Sequence, residues 1–204
     1  RDLHSFPTRR SSDLLVTLRQ TLVIKKKYGE SDIIQLIHLY EGAQADRIDF
    51  ENEVDWRSLN ALLKAEFPLS VANAEATYDI GLGSVRRGNN RDNSFEVYAH
   101  EWTDLTDRKG DYGVTLLNDS RYGWDKPADN TLRLSLLYSP KPGRSYAYHA
   151  RQDFGHHVFT YSLVGHQGEL DAVEAVRQAD RLNSPLRTFH ADRHAGQFGR
   201  QFSF

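Results

Sequence analysis

FEVYAHEWTDLTDRKGDYGVTLLNDSRYG, residues 95–123, followed by LRLSLLYSPK at residues 132–141, sets the character of this chain. Alternating or β-branched runs at 94–105, 112–119 and 131–139 read as strands, because side chains two apart share a face. The same texture extends upstream through 15–27, 32–42, 46–56, 62–71 and 76–87, and downstream through 156–164. Turn-forming clusters separate the runs, among them Tyr28-Gly29-Glu30-Ser31, residues 88–93 and Pro140-Lys141-Pro142-Gly143-Arg144. Many short strands with few helices predict an all-β chain built as a large antiparallel β-sandwich. One segment departs from the pattern. GELDAVEAVRQADRLN, residues 168–183, places Leu170, Val173, Val176, Ala179 and Leu182 at three-residue steps and predicts one helix. Ser184-Pro185 ends it, since proline cannot continue the backbone ladder.

Composition narrows the class. A chain of 204 residues that is 39% apolar and 11% aromatic can bury a sizeable core. A net charge of −2 and a pI near 6.5 supply no general electrostatic reason to expect nucleic acid or an anionic membrane as partner. The absence of Cys excludes disulfides and thiolate metal sites without deciding the compartment. No apolar run approaches the roughly 20 residues that span a bilayer.

Four motifs in fixed order point to a family: DW at 55–56 followed by LLKAEFP at 62–68, then AHEW at 99–102, then LLNDSRYG at 116–123. Together with DFGHHVFTYSLVGHQGEL at 153–170, they resemble the C-terminal β-region of glycoside hydrolase family 38 α-mannosidases, over nearly all of residues 15–184. The resemblance implies a supersandwich of the galactose-mutarotase type. It implies a parent enzyme that hydrolyses α-mannosidic bonds with retention, using a carboxylate nucleophile, a second carboxylic acid and one zinc ion that engages sugar hydroxyls. In that family these groups belong to a barrel and helical region that would precede residue 15. No catalytic residue and no metal ligand is therefore assigned to this chain, which alone is expected to bind no catalytic zinc. The implied partners are a mannose-containing oligosaccharide and the catalytic barrel of the same parent protein. The LLNDSRYG variant with AHEW upstream looks closer to the bacterial and cytosolic or vacuolar branch, which favours catabolic trimming and a cytoplasmic location.

The two ends read differently from the middle. Residues 1–14, RDLHSFPTRRSSDL, are what a common sequencing-adapter oligonucleotide encodes in one frame, and are set aside as non-native. The chain contains no Met, and residues 190–204 close on an alternating aromatic pattern resembling an incipient strand. Residues 15–204 are accordingly expected to be a β-sandwich region truncated at both ends.

Candidate chemistry is sparse. His149, His156, His157 and His166 cluster in sequence, yet adjacent strand residues point to opposite faces, so His156 and His157 cannot share a site. His190 and His194 have i,i+4 spacing but enclose Ala-Asp-Arg and lack the glutamate of a zinc protease. Asp104, Asp119, Asp125 and Asp153 are expected at strand ends or loops, where Asp caps turns. Sugar sites combine aromatic faces with planar polar groups. Asn118, Asp119, Arg121 and Tyr122 are therefore the leading substrate-contact candidates, with His100 and Trp102 behind them. The competing expectation makes Trp102 a core residue and Asn118-Asp119 a turn; a free-standing carbohydrate-binding sandwich is the alternative function. Asp55-Trp56-Arg57 is read as structural, with a buried, bonded indole, and Lys25-Lys26-Lys27 as a solvated strand end.

Overall fold

In the computed structural model, the structure describes residues 19–42 and 46–185. The adapter-like segment, the pair His190 and His194 and the closing aromatic pattern lie outside these residues. Among the described residues, twelve strands form two antiparallel sheets. The chain runs β1 (Arg19–Tyr28), β2 (Ser31–Tyr40), β3 (Arg47–Trp56), β4 (Ala61–Pro68), β5 (Glu75–Asp79) and β6 (Ser84–Gly88). It continues through β7 (Val97–Tyr98), β8 (Trp102–Thr106), β9 (Tyr112–Asn118), β10 (Gly123–Ala128), β11 (Thr131–Ser139) and β12 (Gly155–Gln167). A 3-10 segment, Arg144–Arg151, precedes β12, and helix α1, Ala172–Asn183, follows it.

The larger sheet has the order β1-β2-β3-β12-β9-β8-β5-β6 and the smaller β4-β11-β10-β7. Between them lies the main core, in which Val54, Trp56, Tyr78, Leu105, Leu116, Trp124, Leu132, Leu134 and Phe159 are almost wholly removed from water. Each such large side chain contributes about 1.5–3 kcal/mol on burial. Trp56 behaves as its context predicts, donating from Nε1 to Ser139 Oγ at 2.8 Å across the two sheets.

The other face of the larger sheet carries α1. Alternation along β9 sends Leu116 into the sandwich and Leu117 toward the helix, where it meets Trp102, Val164, Ala175 and Ala179. The buried stripe of α1 is Ala175, Gln178 and Ala179 with Leu182 beside it, a 3-and-4 spacing. Val173 and Val176, placed on the packed face by the three-residue reading, are 60% and 45% exposed. Small alanines let the helix lie close to the strands.

Two predicted strands are each divided in the structure. Residues 76–87 form a hairpin, β5 and β6, whose turn holds Gly81 and Gly83 at positive φ. Residues 94–105 split into β7 in the smaller sheet and β8 in the larger. Strand β10 was absent from the sequence reading; it contains Pro127, where pairing with β11 is irregular.

Candidate functional site

Three loops converge at one end of the larger sheet: the β5–β6 turn, the crossing at 99–101 and the loop 119–122 after β9. Asp79, buried at the end of β5, organises two of them. Its carboxylate accepts from Gly81 N at 2.8 Å and Glu101 N at 2.9 Å, and its carbonyl accepts from His100 N at 2.8 Å. Asn118 organises the third. Its Nδ2 donates to His100 O at 2.9 Å, and its Oδ1 accepts from Arg121 N at 2.7 Å. Asp119 pins the same loop to β12 by accepting from Thr160 N at 2.7 Å.

The six sequence candidates thus fall into two groups. Asn118 and Trp102 are buried, the first as the staple between two loops and the second beneath α1. Arg121 lies half-buried with its guanidinium 4.5 Å from the centroid of the Phe159 ring. Burial holds that guanidinium below its ordinary pKa, opposed by Asp119 and Asp153. Asp119 spends one oxygen on Thr160 N and the other on Ser120 Oγ. His100 and Tyr122 are the two that present surface. Their rings stack at 5.7 Å with 20° between planes, and Tyr98 adjoins Tyr122 at 6.2 Å. The Tyr98 and Tyr122 residues are 50% and 44% exposed, and the His100 side chain 40%. The result is a short aromatic strip on a frame fixed by backbone hydrogen bonds, suited to the C–H face of a sugar with an imidazole edge for its hydroxyls.

A second polar cluster was not found from sequence. Asp104, expected at a strand end, sits inside β8 and is buried on the helix side. Its carboxylate accepts from Thr106 Oγ1 at 2.7 Å and Thr115 Oγ1 at 2.8 Å, and lies 2.8 Å from His166 Nε2. The bond to Asp104 raises the His166 pKa, against the opposing effect of burial. Asp125 is likewise buried within β10, held by Arg133 and Lys64. The other histidines are dispersed, His157 against Asp153 O and His156 facing Glu53 on the surface. Among the described residues, no three His, Asp or Glu side chains are grouped to hold a metal ion. None of their helices is long and apolar enough to cross a membrane.

Comparison with known proteins decides the family. Residues 10–142 match the profile described as "Glycosyl hydrolases family 38 C-terminal domain". This chain belongs to glycoside hydrolase family 38. Its relatives include alpha-mannosidase 2C1 of Mus musculus, 38% identical over 144 residues that make up 68% of this chain and 13% of that protein. Alpha-mannosidase G of Dictyostelium discoideum is 34% identical over 143 residues, 68% of this chain and 12% of that protein. The family 38 chain therefore spans roughly an eighth of these curated relatives. Among solved structures, a family 38 glycosyl hydrolase from Enterococcus faecalis aligns with a TM-score of 0.71 at 20% identity, covering 82% of this chain and 20% of that one. That likeness shows a shared sandwich fold.

Proposed function

We propose that this chain serves as the C-terminal β-sandwich region of a retaining, zinc-dependent α-mannosidase acting on mannose-containing oligosaccharides. In this reading the sandwich braces the catalytic region, and the His100–Tyr122 pair lines the glycan cleft. Membership of family 38 and the names of the relatives support the parent activity. The observation that carries the site is the stacked, exposed ring pair, whose backbone segments are anchored by Asp79 and Asn118 so that little loop ordering remains to be made on binding.

A retaining glycosidase needs two carboxyl groups about 5–5.5 Å apart. The resemblance assigns them, and the zinc ligands, to sequence upstream of residue 15. The donor set of the described residues does not fit zinc, since no third ligand accompanies any pair, so no ligand is assigned among them. Zinc, when bound in the parent enzyme, would supply Lewis-acid contact to sugar hydroxyls. The part left to this chain is orientation: the Tyr122 ring against sugar C–H bonds, and the His100 imidazole toward a hydroxyl.

The test is Tyr122→Ala in the full-length enzyme, with Tyr138→Ala, another exposed tyrosine, as control. The expected result is a loss of about tenfold in kcat/KM on manno-oligosaccharides for the first, about 1.4 kcal/mol of transition-state stabilisation, and none for the second. Equal activity of the two variants would remove the proposed cleft role. The isolated chain is expected to show no mannosidase turnover with or without added zinc; turnover would place catalytic groups within it.

A further inference from the structure

A pocket of about 420 Å³ lies where edge strand β6 of the larger sheet meets edge strand β7 of the smaller one, adjoining Tyr98 of the aromatic strip through Val97 and Arg87. Its lining holds four cationic side chains, Arg86, Arg87, Arg91 and Lys126, against one carboxylate, Glu75. This local excess stands out on a chain whose net charge is −2.

Lys126 makes the pocket more than a basic surface. It is 1% exposed, and its Nζ donates to Asn73 O and Asn89 Oδ1, each at 2.6 Å, and to Ala128 O at 2.8 Å. All three acceptors are neutral. The nearest acid, Asp129, is engaged by Asn89 Nδ2 at 2.7 Å and by Arg108 Nη2 at 2.6 Å. A buried ammonium with no carboxylate bonded to it leaves a field in the pocket that favours an anion, because low polarisability weakens screening there. Burial accordingly lowers the Lys126 pKa from its ordinary value.

The walls are already in place. Asn90 holds one edge of β10 with two bonds to Lys126, its N donating to Lys126 O at 2.8 Å and its Oδ1 accepting from Lys126 N at 2.9 Å. Arg91 and Ser94, both on the lining, exchange backbone bonds at 3.0 Å in each direction and close a tight turn. Arg87 is committed to Tyr98 O and to the face of Tyr78, at 5.2 Å from the ring centroid. Arg86 and Arg91, both exposed, form no ion pair among the described residues.

We infer that this pocket binds the phosphate monoester of a small sugar, the two unpaired guanidinium groups taking the phosphate oxygens and the loop amides the hydroxyls. Guanidinium forks match phosphate geometry in pairs, which a lone ammonium cannot do. Asn93 and Ser94 on the same lining offer, through their side chains, the uncharged donors and acceptors that a polyol needs. The proposal is independent of the aromatic strip and of the mannosidase reading.

The full 204-residue chain should be titrated calorimetrically at low ionic strength with glucose 6-phosphate, inorganic phosphate and glucose. Saturable binding of glucose 6-phosphate is expected, with inorganic phosphate weaker and glucose without detectable affinity. The double substitution Arg86→Gln, Arg91→Gln changes exposed residues and should lower the affinity about tenfold or more, a loss of about 1.4 kcal/mol. The pair Lys25→Gln, Lys26→Gln on β1 removes the same charge elsewhere and should leave it unchanged. Three results would each overturn the inference: no saturable binding of the ester, glucose binding as well as its phosphate, or equal losses in the two double variants.

Discussion

At the scale of single residues, Gly113, His166 and Asp104 depend on one another. A side chain at Gly113 would collide with the His166 ring, so the glycine makes room for the imidazole to reach the buried carboxylate. Gly113→Ala should destabilise the chain by about 1–3 kcal/mol, as overpacking does, measurable by urea denaturation. The His166 pKa is raised in the folded chain, chiefly by the bond to Asp104. A raised histidine pKa contributes stability that is fully present below the ordinary value of about 6.5 and fades as pH rises through the folded value. Denaturation curves should therefore show a stability decline above about pH 6.5 that His166→Gln removes. A His166 NMR titration midpoint at or below the ordinary value would contradict this. None of it was visible in the sequence, where histidines were compared with their near neighbours. Asp104 and His166 are 62 residues apart and meet only because β8, β9 and β12 lie side by side. Trp56, by contrast, was legible, since an indole inside a strand pattern has few options other than burial with its N–H bonded. For the candidate glycan site, sequence named a loop but could not rank its members: Asn118 and Tyr122 are equally sugar-like as residue types, and only burial separates them.

At the scale of elements, α1 is held by a cap and a narrow apolar stripe. Asp171 accepts from Val173 N at 2.9 Å and Glu174 N at 3.2 Å, satisfying donors that the first turn leaves open. Asp171→Ala should cost about 1 kcal/mol, read as lower helicity and a red shift of emission as water reaches Trp102. Unchanged spectra would mean that packing alone fixes the helix start. The helix was predictable because its period and its Ser184-Pro185 stop are local properties. Its buried face was not, because alanines rather than valines carry it, and alanine is apolar enough for either side. Strand boundaries failed for a related reason. Residues 102–106 are buried without a break, so the alternation that would mark a strand's two faces is lost just after the crossing at 99–101, and the pattern does not reveal where one sheet gives way to the other. A proline and two charged residues disguised β10, whose Asp125 and Lys126 are buried through partners supplied by β4, β11 and the 89–90 loop.

At the scale of the whole molecule, the eight-stranded sheet outruns the four-stranded one. Leu22, Ile37 and Leu39 point to the same side as the core yet extend past β4, and Leu22 and Leu39 are 61% and 50% exposed. Sequence could anticipate a sandwich from the number and spacing of strands, but the mismatch between sheets is a property of pairing order and has no local signature. That mismatch grades the lifetime of the backbone hydrogen bonds. Strand β12 is flanked by β3 and β9 and carries Phe159 and Tyr161 into the core, whereas among the described residues β1 has a neighbour only in β2. In deuterated water, amides of β1 should take up label first, those of β2 later, and those of β12 last. The sheet is in this sense a clock read from its rim inward, with the slowest protons on the strand that joins both halves.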